Sequence, residues 1–318
     1  MSSHRNEQDK WINPSKREYV PVEGFTLTDQ FKQAKNQIDN FEVSDNDIWI
    51  STFPKSGTTW TQEMVWLIFN NLDFEKAKQN LNDRSPFLEI STLIDYQNLM
   101  KTCPDIQIPE SRLDSIKFVK NQKGPKVIKT HLPWELLPKQ IQNGVKKPKI
   151  IYVARNPKDV CVSFFNHEKL ISGYSGTFDE FCELFLDGKV LYAPYWHHVL
   201  TYWKMRNTPN FLFLKYEDMK RDLSKVIQKV SEFLERPLND EQVEILLEHL
   251  SFEKMKQNPA VNKEDMIDIF KKHNLTNSDG QFFRSGKIGD YKVTMSSGMI
   301  KRFDEWIKRN TEGSDYVV

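Results

Sequence analysis

Hydrophobic positions fall into short branched and aromatic runs, separated by longer segments in which apolar residues recur every third or fourth position. Four runs read as buried strands: 47–53, 126–130, 149–154 and 210–216, each rich in branched or aromatic side chains and most of them opening at Pro, Lys or Asn. Between them, 58–70 carries Trp60, Met64, Leu67 and Ile68 at helical spacing, and 223–234 sets Val226, Ile227, Val230, Phe233 and Leu234 on one face. The segment 157–170 opens with Pro157 at a first helical position, followed by Lys158 and Asp159. Strands alternating with helices predict an α/β fold with a central, mostly parallel β-sheet flanked by helices. No repeat, low-complexity tract or linker divides the chain, so a single domain over 1–318 is expected. In such sheets ligands bind beyond the carboxyl ends of the strands. The residues that carry chemistry cluster at those ends.

After the first strand comes Phe53-Pro54-Lys55-Ser56-Gly57-Thr58-Thr59-Trp60, leading into a helix. A strand, a small-residue loop and a helix N-terminus together present unpaired N–H groups and a positive dipole end to an anion. Gly57 permits close approach, Ser56, Thr58 and Thr59 add hydroxyl donors, and Lys55 adds charge. An ordinary tight turn would use similar residues, but the strand-loop-helix setting favours a P-loop-like anion cradle. It is not the G-x-x-x-x-G-K-S/T loop of nucleotide triphosphatases, because Lys55 precedes the only glycine. A kinase is disfavoured on that ground and by the lack of an evident magnesium ligand set. At the second strand end, alternation points Lys129 and His131 the same way, a cation beside an imidazole that suits a general base. A lone histidine is more often structural; the cationic partner and the address favour the base. At the third strand end, Arg155 with Ser163 suits a second phosphate, although Asp159 is an alternative partner for the guanidinium. The loop Phe283-Arg284-Ser285-Gly286-Lys287 is weak evidence by itself.

These segments, in this order, resemble the cytosolic sulfotransferase family. The family's [YF]-P-K-S-G-T-T-W loop matches 53–60, K-T-H-L-P matches 129–133, and R-N-x-K-D-x-x-V-S matches 155–163. Y-E-D-M, S-F-x-x-M-K-x-N-P and R-x-G-x-x-G-D fall at 216–219, 251–259 and 284–290. The resemblance implies 3'-phosphoadenosine 5'-phosphosulfate (PAPS) as sulfuryl donor, a small lipophilic hydroxyl-bearing acceptor, and a role in xenobiotic or steroid metabolism. It implies Lys55, Ser56, Gly57, Thr58 and Thr59 as the phosphosulfate cradle, and Trp60, Phe252 and Tyr216 around the adenine. It further implies Arg155, Ser163, Arg284 and Gly286 on the 3'-phosphate, with Phe283 beside them. His131 is implied as the base, with Lys129 stabilising the transferred group and Lys55 the leaving oxygen. No metal is expected. The acceptor pocket would be lined by Phe31, Phe87, Phe164 and His167, with Lys129 and His131 at its reactive end; for each aromatic, core packing is nearly as good an explanation.

The chain departs from the family at Ser285, where lysine is usual, at Phe283 for methionine and at Tyr291 for tryptophan. A short dimerisation pattern would fall at Lys292, Ser296, Ser297 and Lys301, where only the first position agrees. A monomer or weak homodimer is expected. Sequence leaves open a dehydration of an allylic alcohol through its sulfate ester, and a non-catalytic carrier of nucleotide or alcohol.

Composition sets limits on partners and compartment. The 45 basic and 44 acidic residues leave a net charge of +1, which argues against a nucleic-acid binder with a broad basic field. Three dispersed cysteines imply neither a disulfide framework nor zinc. The polar N-terminus has no signal-peptide core, and no apolar run reaches the roughly 20 residues of a membrane span. A cytoplasmic, membrane-free protein is the expectation, and the sequon-like Asn274-Leu275-Thr276 reads as an accident of composition.

Overall fold

The computed structural model describes residues 10–318; the first nine residues of the expected domain, which begin the segment read for a signal peptide, lie outside it. A short antiparallel hairpin, β1 (Tyr19–Val22) and β2 (Phe25–Thr28), precedes the main sheet. That sheet comprises β3 (Ile48–Thr52), β4 (Val127–Thr130), β5 (Lys149–Ala154) and β6 (Phe211–Lys215), all parallel, in the order β4-β3-β5-β6. The expected strands are therefore present. The hairpin was not anticipated, because four-residue strands carry too little alternation to stand out.

Parallel strands covered on both faces read as continuous apolar runs, and every residue of β3 is buried. The pleat divides them. Trp49, Ile150, Tyr152 and Phe211 pack into one core with Phe31 and Tyr202, whereas Ile48, Ile50, Ile151, Val153 and Leu212 pack into a second core with Met64, Leu67 and Ile227.

Four helices matter for the site. Helix α1 (Asp29–Asp39) is capped by Thr28, whose hydroxyl accepts from Phe31 N at 3.1 Å. Helix α2 (Thr58–Phe69) starts at Gly57, and α3 (Pro157–His167) has Asn156 as its cap and Pro157 in its first turn. Helix α4 (Leu223–Phe233) buries Val226, Ile227 and Val230, as its periodicity predicts. At its C-terminal end, α3 widens into a π-helical turn, Glu168–Ser172, a feature frequent at functional sites. The two short loops after β3 and β5, and the direct passage from β6 into the helix Tyr216–Arg221, all open at the carboxyl edge of the sheet.

Candidate active site

At that edge lies a cavity of about 280 Å³. Lys55, Gly57, Thr58, Thr59, Trp60, Lys129, His131, Arg155, Ser163, Tyr216, Phe252, Phe283, Arg284 and Gly286 all line it, so widely separated segments of the chain converge. Phe87, Phe164 and His167 line it as well. Ser56 lies just behind the wall, fully buried. The structure does not bring Phe31 to the cavity; it is fully buried in α1 and packs in the core.

The loop after β3 is shaped by its backbone. Lys55 and Gly57 have φ of +69° and +102°, and a Cβ on Gly57 would come within 2.7 Å of the Tyr216 ring, which only glycine avoids. The left-handed Lys55 is held by Arg155, whose Nη1 donates to the Lys55 carbonyl at 3.1 Å. Arg155 Nη2 donates to the Lys287 carbonyl at 3.0 Å, and the guanidinium lies 4.3 Å from the Tyr216 ring centroid. Asp159, the alternative partner for Arg155, is engaged elsewhere: it accepts from Gly289 N at 2.8 Å and Tyr291 N at 3.2 Å, pinning the C-terminal loop onto the start of α3. In that loop Gly286 has φ of +60°, and its bare Cα faces Phe252, whose ring a Cβ would meet at 2.6 Å. Arg284 and Ser285 both donate to Asp290. Tyr216 Oη donates to Gly286 O at 3.3 Å, and Trp60 Nε1 to Leu250 O at 2.9 Å, so both rings are fixed at the rim.

These donors fit an anion. Ser56 Oγ and Arg155 Nε are buried with no hydrogen-bond partner, and neither Lys55 nor Arg155 forms an ion pair among the described residues. Burial, reinforced by the charges of Lys129, Arg155 and Arg284, pulls the Lys55 ammonium down to about 7.

The imidazole of His131 lines the same cavity as Lys55. Its Nδ1 is 2.8 Å from the Thr52 carbonyl, which can only accept, so the proton sits on Nδ1 and Nε2 keeps its lone pair. Nε2 makes no hydrogen bond to the described residues. Burial, then the nearby Lys129 charge, depress the imidazole well below its ordinary value, so it is neutral at pH 7. The backbone is equally fixed: His131 N donates to Glu89 Oε1 at 2.7 Å, and His131 O accepts from His198 Nε2 at 2.9 Å. His198 Nδ1 in turn accepts from Tyr152 Oη at 2.8 Å, tying the histidine loop to β5. Lys129 Nζ rests 4.0 Å from the Phe87 ring centroid and is lowered to about 8, chiefly by burial. His167 Nδ1 lies 3.4 Å from Lys55 Nζ, and burial and that ammonium keep it neutral too.

Sequence reasoning missed Glu89, Arg112, Lys263 and Phe282. Glu89 is fully buried, accepts from Thr130 Oγ1, His131 N and Tyr192 Oη, and is raised to about 7 by burial. It belongs to a loop with no periodicity or punctuation to announce it. Lys263 stands four positions after the motif ending at Pro259, where only the contrast of a lysine facing a cavity would have marked it.

Known proteins share this fold and much of this sequence. The sulfotransferase domain family matches residues 45–315. The chain is 45% identical to luciferin sulfotransferase of Photinus pyralis over 96% of its own length and 83% of the relative's. It is 36% identical to sulfotransferase 1A1 of Mus musculus over 96% and 98% of the two chains. Among solved structures, retinol dehydratase in a complex with retinol and PAP superposes with a TM-score of 0.84 at 31% identity, covering 96% of this chain and 92% of that one. No helix among the described residues is long and apolar enough to cross a membrane.

Proposed function

The chain belongs to the sulfotransferase family and is a sulfotransferase, and on that premise we propose that it moves the sulfuryl group of PAPS onto the hydroxyl of a small lipophilic acceptor, with His131 as general base. The observation that carries the reading is the tautomer of His131. A neutral imidazole with Nδ1–H fixed on Thr52 O presents a bare Nε2 to the cavity that also holds Lys55.

PAPS would lie along the residues that fit an anion: the 5'-phosphosulfate on Lys55 and the 56–59 loop, the 3'-phosphate on Arg155, Ser163, Arg284 and Gly286, and the adenine among Trp60, Tyr216 and Phe252. When bound it supplies an activated sulfuryl group; the rest is the protein's work. His131 Nε2 takes the proton of the acceptor hydroxyl. Lys55 and the N-terminus of α2 are placed for negative charge growing on the leaving oxygen, and Lys129 for charge on the group in transit. Such a transfer needs positioning and electrostatics more than covalent help. Phe87, Phe164, Tyr192 and Ile171 give the acceptor half an apolar wall.

A second reading draws on the likeness to retinol dehydratase. There the sulfate ester would be an intermediate, and loss of sulfate would give net dehydration of an allylic alcohol. One experiment tests both: labelled PAPS supplied with a panel of phenols, steroids and long-chain allylic alcohols, with products identified by mass. Stable labelled ester supports transfer, and released sulfate with a dehydrated product supports the second reading. Tight PAP binding with no turnover on any acceptor would leave a carrier.

A further inference from the structure

The acceptor half of the cavity carries more positive charge than a neutral hydroxyl compound needs. Lys263 lies on its wall at φ +60°, with Nζ 4.4 Å from the Phe282 ring centroid and no hydrogen bond or ion pair to any described residue. Arg112 lines the same wall, and its Nη1 has only the Met266 sulfur at 2.9 Å, a weak acceptor that leaves the charge unanswered. Neither takes part in an ion pair among the described residues.

Lys263 shares its aromatic contact with the lysine of the strand-end loop, for Lys55 Nζ lies 4.6 Å from the centroid of the same Phe282 ring. The charges that bear most on Lys55 are those of Lys129, Arg155 and Arg284, whereas those on Lys263 are Lys129 and Arg112 first and Lys55 last. Arg112 also bears on Tyr96 and on Lys129. Arg112, Lys263 and Lys129 thus form one group of cations on the cavity wall. The carboxylates that could neutralise them are engaged elsewhere: Glu89 by Thr130, His131 N and Tyr192, Glu264 by Phe282 N, and Glu168 by Trp11 and Tyr19. Cations gathered in an apolar-walled cavity repel one another and are costly to desolvate, a cost that an anionic ligand offsets.

Resting on the sulfotransferase reading above, we propose that the preferred acceptor is a hydroxy acid: a lipophilic molecule with the reactive hydroxyl at His131 and a carboxylate received by Lys263 and Arg112. The apolar walls hold the body of the molecule. Burial and the neighbouring cations also hold the Lys263 ammonium well below its ordinary value, and a carboxylate beside it would oppose that shift.

A pair of probes tests this, an extended aryl phenol bearing a distal carboxylate and its methyl ester. Calorimetric titration into the PAP-loaded protein gives affinities, and labelled PAPS gives kcat/KM. The acid should bind and react at least about tenfold better than the ester, a modest effect for a charge-assisted pair. Lys263→Met should collapse the acid-to-ester ratio toward one, and Lys263→Arg should retain most of it, with PAP affinity of the three proteins alike. The inference is overturned if the wild type favours the ester or treats both alike, if Lys263→Met leaves the ratio intact, or if that variant loses PAP affinity as much as acid affinity. Tighter binding of the acid without turnover of either probe would uphold the inference and count against sulfuryl transfer to phenols.

Discussion

At His131, the Thr52 carbonyl keeps the proton on Nδ1 while burial and Lys129 keep the ring neutral. On the proposed mechanism His131→Ala lowers kcat by roughly two orders of magnitude or more, as loss of a general base does, while PAP still binds. Turnover unchanged in that variant removes His131 from the chemistry. The lysines set a second limit. In the free protein Lys55 titrates near 7 and Lys129 near 8, and an anion raises both by opposing the desolvation that lowered them. Hence kcat/KM for PAPS, which reports the free enzyme, should fall as pH rises from about 7 to 9, with kcat holding to higher pH. A flat kcat/KM over that range would show both lysines charged without ligand. Residues inside dense motifs, such as Lys55, Lys129, His131 and Arg155, could be picked out from sequence. Glu89 and Lys263 could not, because their significance comes from burial and from neighbours distant along the chain. Phe31 shows the converse: an aromatic near the right place in the chain, turned into the core by the helix that bears it.

Among the elements, the loops at the strand ends are set by close approach. Gly57→Ala meets two penalties together, a side chain at φ +102° and a Cβ 2.7 Å from Tyr216. It should destabilise the protein by more than about 1 kcal/mol and weaken PAP binding. Adding Tyr216→Ala should recover the steric part, so the double variant is more stable in urea than the sum of the singles, as contacting residues require. Additive losses would mean that the two residues do not compete for space. The main strands and their helices were readable because a doubly covered parallel strand is an unbroken apolar run. The hairpin β1–β2 and the π-helical turn at Glu168–Ser172 were not. The first has too few residues to show a period, and the second continues the α-helical pattern of α3 and departs from it only in its hydrogen bonding.

For the molecule as a whole, near-neutral net charge conceals a cavity lined by cations, among them Lys55, Lys129, Arg155, Lys263 and Arg284. Because Lys55 is depressed on folding, the unfolded chain binds more protons between about pH 7 and the ordinary lysine value. Stability withheld by that lysine at pH 7 is therefore regained as pH rises. Lys55→Met should be more stable than the wild type at pH 7, by a margin that shrinks toward pH 10, as chemical denaturation across that range would reveal. A constant margin would place the effect in packing rather than protonation. The dispersal of the nucleotide contacts has a kinetic consequence. Lys55, Arg155, Tyr216, Phe252 and Arg284 are brought together only when β3, β5, β6 and the C-terminal loop are all seated. No half-assembled chain offers the pocket, so PAP should leave the refolding rate untouched and express its whole effect as slower unfolding. Refolding hastened by PAP would mean that the pocket is already formed at the rate-limiting barrier.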